Sequence, residues 1–154
     1  IRARLDSLSG RINGEFADID WNPVRYVNKT YRRDELAGVY RAARVALVTP
    51  LRDGMNLVAK EFVAAQNPDD PGVLILSRFA GAADQLKQAL MVNPNSPEEI
   101  AEALKRALAM DLSERVARWA QMFENVTRED VNAWRDAYVG ALSDVRETHT
   151  ALAS

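Results

Sequence analysis

The sequence has no cysteine, which excludes disulfides, thiolate nucleophiles and cysteine-ligated zinc. It has one histidine, His149, near the C-terminus. A Ser-His-Asp triad or a poly-histidine metal centre would hang on that residue alone, so neither is expected. There is no excess of positive charge, since 20 Lys and Arg stand against 22 Asp and Glu for a formal net charge of −2. Nothing there answers a polyanionic backbone, and nucleic acid is not an expected partner. No apolar run approaches the roughly 20 residues of a membrane span, and no secretory leader is visible, so a cytoplasmic protein without a membrane partner is expected. Internal repeats and low-complexity tracts are also missing. What is present is ordinary for one folded domain: 154 residues, 47% hydrophobic and 27% charged. The chain opens Ile1-Arg2-Ala3 inside a helical pattern, with no initiator methionine, and reads as a piece of a longer protein.

Ile1, Leu5, Leu8, Ile12 and Phe16 fall on one helical face, with Gly14 marking a frayed end. Trp21-Asn22-Pro23 signals a turn, and Val24 to Asn28 reads as a short strand. Asp34 caps a helix over Glu35 to Ala43 with Leu36, Val39 and Tyr40 inward. Val45 to Thr49 is a continuous apolar run ended by Pro50, the pattern of a strand buried on both faces. A helix from Asn56 to Gln66, a second buried strand over Val73 to Leu76, a short helix from Ala82 to Gln88 and a strand over Leu90 to Val92 follow. Ser96 and Glu99 suggest a capping box with Pro97 at the first helical position, opening a helix to Met110. Two more helices are read over Ser113 to Phe123 and, capped by Thr127, over Arg128 to Glu147. The last carries a stripe of Val131, Trp134, Tyr138, Leu142 and Val145, read mainly as packing surface and alternatively as a partner face. Alternation of apolar strands and helices means an α/β fold: a parallel sheet with helices on both faces and a helical C-terminal tail. Four strands are fewer than the five or six of a doubly wound nucleotide-binding domain, so the domain reads as incomplete.

The junction Thr49-Pro50-Leu51-Arg52-Asp53-Gly54-Met55-Asn56-Leu57-Val58-Ala59-Lys60-Glu61 lies between a strand and a helix. Ligands of open parallel sheets bind outside the carboxyl ends of the strands. Gly54 lets backbone approach a ligand closely. The amides near Met55 to Val58 belong to a first helical turn and lack intrahelical partners, which makes an anion site. Glu61 lies one turn further, on the face of those amides. An acid at the strand end suits sugar hydroxyls, an acid one turn in suits a ribose diol, and a diphosphate fits between them. The same pattern is equally open to a plainer reading, with Asp53 a helix cap and Glu61 a solvated surface residue. The loop Ser77 to Gly81 is likewise open to lining the crevice or to a structural role.

Asp53-Gly54-Met55-Asn56-Leu57-Val58-Ala59-Lys60-Glu61, with Val48-Thr49-Pro50-Leu51-Arg52 before it, resembles the donor-site signature of the trehalose-6-phosphate synthases. Pro71 to Ala83 and Ala89 to Pro94 fit the same pattern. The resemblance implies a retaining transferase of the GT-B type, with two Rossmann-like halves, of which this chain is the C-terminal part of the nucleotide-sugar-binding half. On that resemblance, residues 1–126 form a partial donor-binding domain and residues 127–154 a helix returning toward the N-terminal half. The implied reaction moves glucose from UDP-glucose to glucose 6-phosphate, with no metal and no resident cofactor. Asp53 is the residue implied at the catalytic centre. Asp53 with the backbone of Gly54, Met55 and Asn56 would hold glucose hydroxyls, the amides of Leu57 and Val58 the diphosphate, Glu61 the ribose, and Tyr31 the uracil through its backbone.

A helix terminus offers roughly +0.5 elementary charge, against about −2 on a UDP diphosphate, so cations must supply the rest. Arg52 and Lys60 are near in sequence, with Lys60 expected to point off the amide face. The family's phosphate-binding arginine and lysine, like its acceptor half, lie outside this chain. The isolated chain is therefore expected to bind UDP-glucose weakly and to catalyse nothing, and its sheet to need either the N-terminal part of the same protein or a strand-swapped copy. Two other readings remain: a sibling transferase using another phosphorylated acceptor such as glycerol 3-phosphate, and a non-catalytic sugar-nucleotide-binding subunit.

Overall fold

The computed structural model describes residues 1–129 and 131–152, with the side chains of Ala137 and of residues 143–152 left aside. His149 and Val145 therefore fall outside the described side chains. The chain divides into two compact units, Ile1–Arg32 and Arg33–Ser154.

In the first unit, α1 (Arg2–Phe16) runs on through Gly14, and the Ala17 N–H closes its end on the Asn13 carbonyl at 2.9 Å. The expected strand at Val24 does not form. The Asn13 side chain takes both backbone groups of Val24: Nδ2 donates to the carbonyl at 2.8 Å, and the Val24 N–H donates to Oδ1 at 2.9 Å. Both backbone groups of Val24 are thus paired to an amide side chain rather than to a neighbouring strand.

The second unit holds α2 (Arg33–Ala42), β1 (Val45–Val48), α3 (Leu57–Ala65), β2 (Val73–Ser77), a 3-10 turn (Gly81–Asp84), β3 (Leu90–Val92), α4 (Pro97–Ala109), α5 (Leu112–Arg128) and α6 (Val131–Leu152). Among the described residues the sheet has three parallel strands, not four, in the order β1-β2-β3. Val45 to Val48 pair with Val73 to Leu76, and Ile75 to Ser77 with Leu90 to Val92. The side-chain period of two then builds a core on each face. Leu74 and Leu76 join Ala59, Phe62, Val63, Leu86, Trp119 and Met122 under α3 and α5. Val73 and Ile75 join Leu90, Val92, Ala107 and Met110 under α4.

β2 is buried along its whole length, as the central strand should be. β1 is not buried on both faces as expected: it is an edge strand, and Leu47 is 45% exposed. α2 begins at Arg33, so Asp34 sits inside the first turn rather than capping it, where its charge still suits the helix dipole. Val39 faces solvent. Ser96 caps α4 by accepting the Glu99 N–H at 3.2 Å, but the reciprocal half of the box is missing. The Glu99 carboxylate instead accepts from the Asn93 N–H at 2.8 Å and from Arg78 at 2.6 Å. α5 continues past Phe123 to Arg128, so Thr127 is no cap. Its hydroxyl donates back to the carbonyls of Phe123 and Glu124, the bond a threonine makes inside a helix. On α6, Val131, Trp134, Tyr138 and Leu142 are all more than half exposed.

The loop before β2 is tied down by charge. Asp70 accepts from both ends of the Arg44 guanidinium at 2.9 and 3.2 Å and from the nearly buried Arg115 at 2.6 Å. Arg44 first, and then Arg115, hold the Asp70 carboxyl below its ordinary value of 3.8. A depressed folded value contributes stability above the unfolded pKa and loses it as pH falls through the folded one. The Asp70→Asn variant is therefore expected to be less stable than the unmodified chain at pH 7 and to lose less on acidification below pH 3.8. Urea titrations at pH 7 and pH 3 test this, and equal losses in the two proteins would refute it.

Candidate functional site

The junction between β1 and α3 lies at the surface, outside the carboxyl end of the strand. Gly54, Leu57, Val58 and Glu61 are exposed, and Asp53, Met55 and Asn56 half-buried. Asn56, not Asp53, caps α3. Its Oδ1 accepts the Ala59 N–H at 3.0 Å, and its backbone sits in the left-handed region at φ 74°. Among the described residues it is the one non-glycine with positive φ, a conformation in which asparagine is several-fold enriched. Such backbone is costly, and here the side-chain network over-determines it.

Asp53 organises that network. Its Oδ1 accepts the Met55 N–H at 3.2 Å and its Oδ2 accepts Asn56 Nδ2 at 3.0 Å. A relay thus runs from carboxylate to carboxamide to the third amide of the helix. The first turn of α3 offers three amides without helical partners, those of Leu57, Val58 and Ala59. The cap satisfies Ala59 alone. Among the described residues the amides of Leu57 and Val58 have no acceptor, and neither have those of Gly54 and Asn56 in the loop. Four N–H groups are thus presented on one short stretch, a cradle for oxygen-rich or anionic groups. Gly54 has open space where a Cβ would stand and no positive φ. Neither backbone strain nor internal packing accounts for a glycine there.

Glu61 lies one turn up α3 and lines an open cavity of about 450 Å³ with Arg33, Leu36, Ala37 and Tyr40 of α2. The Tyr40 hydroxyl is hydrogen-bonded to the Glu61 carboxylate. Burial, then the charge of Glu61 and that hydrogen bond, raise the tyrosine above its ordinary value of 10.0, so Tyr40 stays a neutral donor across the physiological range. Sequence reading placed Tyr40 inward and missed this pairing, because α2 and α3 meet only in the folded unit. Lys60 lines a second cavity, of about 610 Å³, with Met55, Leu57, Gln85 and Trp134 among others. Arg52 is exposed beside the loop.

The loop after β2 supports the junction from below. Asp53 pairs with Ala80 as a parallel bridge. The Asp53 N–H donates to the Phe79 carbonyl at 3.3 Å, and the Gly81 N–H donates to the Asp53 carbonyl at 3.0 Å. Tyr31 belongs to the other unit, where Lys29 Nζ stands 4.7 Å from its ring centroid. Among the described residues no group of three or more acidic or histidine side chains is placed to hold a metal ion, and no helix is long and apolar enough to cross a membrane.

Residues 1–144 match the model of glycosyltransferase family 20. The chain is 52% identical over 145 residues to the trehalose-6-phosphate synthase of Citrobacter koseri, covering 94% of this chain and 31% of that protein. It superposes on the Escherichia coli trehalose-6-phosphate structure bound with UDP-2-fluoro glucose with a TM-score of 0.88 at 50% identity, over 92% of this chain and 31% of that one. The α,α-trehalose-phosphate synthase (UDP-forming) of Burkholderia xenovorans, in complex with glucose-6-phosphate, gives 0.88 at 54% identity, over 92% of this chain and 32% of that one. The chain thus spans about a third of the length of these relatives. With a parallel sheet flanked by helices, a capped amide row at its carboxyl end and a family match over nearly every residue, the chain belongs to glycosyltransferase family 20.

Proposed function

We propose that this chain supplies the nucleotide-sugar-binding surface of a retaining glycosyltransferase that moves glucose from UDP-glucose to glucose 6-phosphate, forming trehalose 6-phosphate. The observation that carries the reading is the selective cap: Asn56 satisfies Ala59 and leaves Leu57 and Val58 open, one turn below Glu61 and next to Asp53 and Gly54. In this reading the open amides face the diphosphate, and the helix dipole adds to them. Asp53 and the backbone of Gly54, Met55 and Asn56 hold the glucose hydroxyls, and Glu61 takes the ribose diol. The acceptor hydroxyl attacks the anomeric carbon on the face that UDP leaves. The bond to the phosphate oxygen breaks, and the acceptor proton passes to that oxygen. The proposal invokes no resident cofactor and no metal.

The names of the relatives support the donor and the acceptor, and the acceptor is proposed to sit on polypeptide outside this chain. The unpaired outer edge of β1 is proposed to be covered by upstream strands of the same protein or by a swapped copy. Both substrates are charged and do not cross membranes unaided, which supports a cytoplasmic setting.

The test is an amide-resolved NMR titration of the labelled chain with UDP-glucose, which reads weak binding directly. Saturable shifts are expected at Gly54, Asn56, Leu57 and Val58, and Glu61→Gln is expected to weaken binding about tenfold, the loss of one charge-assisted hydrogen bond. No response of these amides at millimolar UDP-glucose would refute the proposal.

A further inference from the structure

A side chain at Gly81 has no room. A Cβ there would stand 2.1 Å from the Gly54 carbonyl oxygen, 2.8 Å from its carbonyl carbon and 3.3 Å from Met55 Cα. Gly81 has no positive φ, so close approach and not backbone conformation calls for the glycine. The contact is backbone on backbone, which no rotamer change relieves. Across it run two hydrogen bonds: Gly81 N–H to the Asp53 carbonyl at 3.0 Å and Ala82 N–H to the Met55 carbonyl at 2.6 Å. A peptide unit is planar and trans, so its C=O and N–H point opposite ways. Holding the Asp53 carbonyl toward Gly81 turns the Gly54 N–H to the far side. Holding the Met55 carbonyl toward Ala82 does the same for the Asn56 N–H. These are the two loop amides without an acceptor among the described residues.

We propose that Gly81 is a positioning residue for the donor's sugar: by letting the turn after β2 close onto the Asp53–Asn56 loop, it aims the Gly54 and Asn56 amides at the sugar hydroxyls. The inference rests on the nucleotide-sugar reading above. It separates two parts of one site. The amides of Leu57 and Val58 are set by α3 and its cap, so the diphosphate is held independently of Gly81, whereas the sugar is not.

The test compares UDP-glucose with UDP, which lacks the sugar, on the full chain and its Gly81→Ala variant by amide-resolved titration. UDP-glucose affinity is expected to fall about tenfold or more, a loss on the scale of one or two hydrogen bonds, while UDP affinity stays within about twofold. A general structural defect would lower both alike. An unchanged ratio of the two affinities overturns the positioning role while the nucleotide-sugar reading stands. An unmodified chain that answers neither ligand overturns that reading and this inference with it. Should Gly81→Ala not fold, hydrogen exchange of the unmodified chain decides. UDP-glucose is expected to slow exchange of the Gly81 and Ala82 amides well beyond what UDP does, and equal protection by the two ligands overturns the proposal.

Discussion

Asp53→Ala is expected to weaken UDP-glucose binding by about a hundredfold, from the loss of two hydrogen bonds to a charged group at about 1.5 kcal/mol each. The carboxylate has two tasks. Within the chain it accepts the Met55 N–H and Asn56 Nδ2, and so holds the left-handed Asn56 whose Oδ1 caps α3. Toward the donor it is proposed to hold sugar hydroxyls. Alanine removes both, and the loop then has little reason to keep a strained asparagine in place. Asp53→Asn separates the tasks. It keeps one acceptor for the Met55 N–H but sets a second NH2 against Asn56 Nδ2. Asn56 escapes only by turning its own oxygen to Asp53's replacement, which uncaps Ala59. An intermediate loss in binding and about 1 kcal/mol of lost stability from the cap are therefore expected for Asp53→Asn. Titration with UDP-glucose and with UDP measures the binding, and urea unfolding measures the stability. UDP-glucose affinity of Asp53→Ala within twofold of the unmodified chain would remove Asp53 from the site.

The elements that were legible in the sequence are those whose cause is local. Ser96-Pro97 announces the start of α4 because a hydroxyl accepting from the third residue on, and a proline with φ set for the first turn, both act within four residues. The junction was legible for the same reason: a strand end, a glycine and a row of first-turn amides are neighbours in the chain. What was not legible depends on partners far away. Val24 has the composition of a strand residue, but Asn13, eleven residues earlier, takes its backbone pair. Val45 to Val48 and Val73 to Leu76 look alike as apolar runs, and only the sheet order decides that β2 is central and β1 an edge. Asp53 was read as the alternative cap because it precedes the helix, whereas a left-handed Asn56 puts its own side chain within reach. The Tyr40–Glu61 pairing and the closeness of Gly81 to Gly54 join segments more than twenty residues apart, and no spacing rule reaches that far.

Trp119→Ala is expected to be the most destabilising single truncation on the α3 side of the sheet, at about 3–5 kcal/mol. Trp119 is 9% exposed and packs in the cluster with Phe62, Val63, Leu74 and Leu76. Its ring stacks on Phe123 with centroids 5.0 Å apart, a geometry that adds to area burial. Its indole N–H donates to the Val63 carbonyl at 3.0 Å. Val63 lies in the last turn of α3, where carbonyls have no intrahelical donor, so the indole of α5 caps the C-terminal end of the helix whose N-terminal end faces the proposed ligand. Alanine leaves a cavity and an orphaned buried carbonyl together. Trp119→Phe keeps most of the ring and loses the donor, so about 1–2 kcal/mol is expected. At the usual scale for a chain of this size, the alanine variant should melt about 10 °C or more below the unmodified chain. The two ends of α3 are held by different partners, Asn56 at one and Trp119 with Gln66 at the other, Gln66 bridging the Tyr40 carbonyl and the Gly72 N–H at 2.7 Å each. Loosening the C-terminal end should therefore leave the Leu57 and Val58 amides where they are. Folded Trp119→Phe is expected to bind UDP within about twofold of the unmodified chain, since no hydrogen bond at the N-terminal end is lost. A loss below about 1.5 kcal/mol for Trp119→Ala, well under the range for a buried aromatic, would mean that α5 does not clamp α3 as the geometry states.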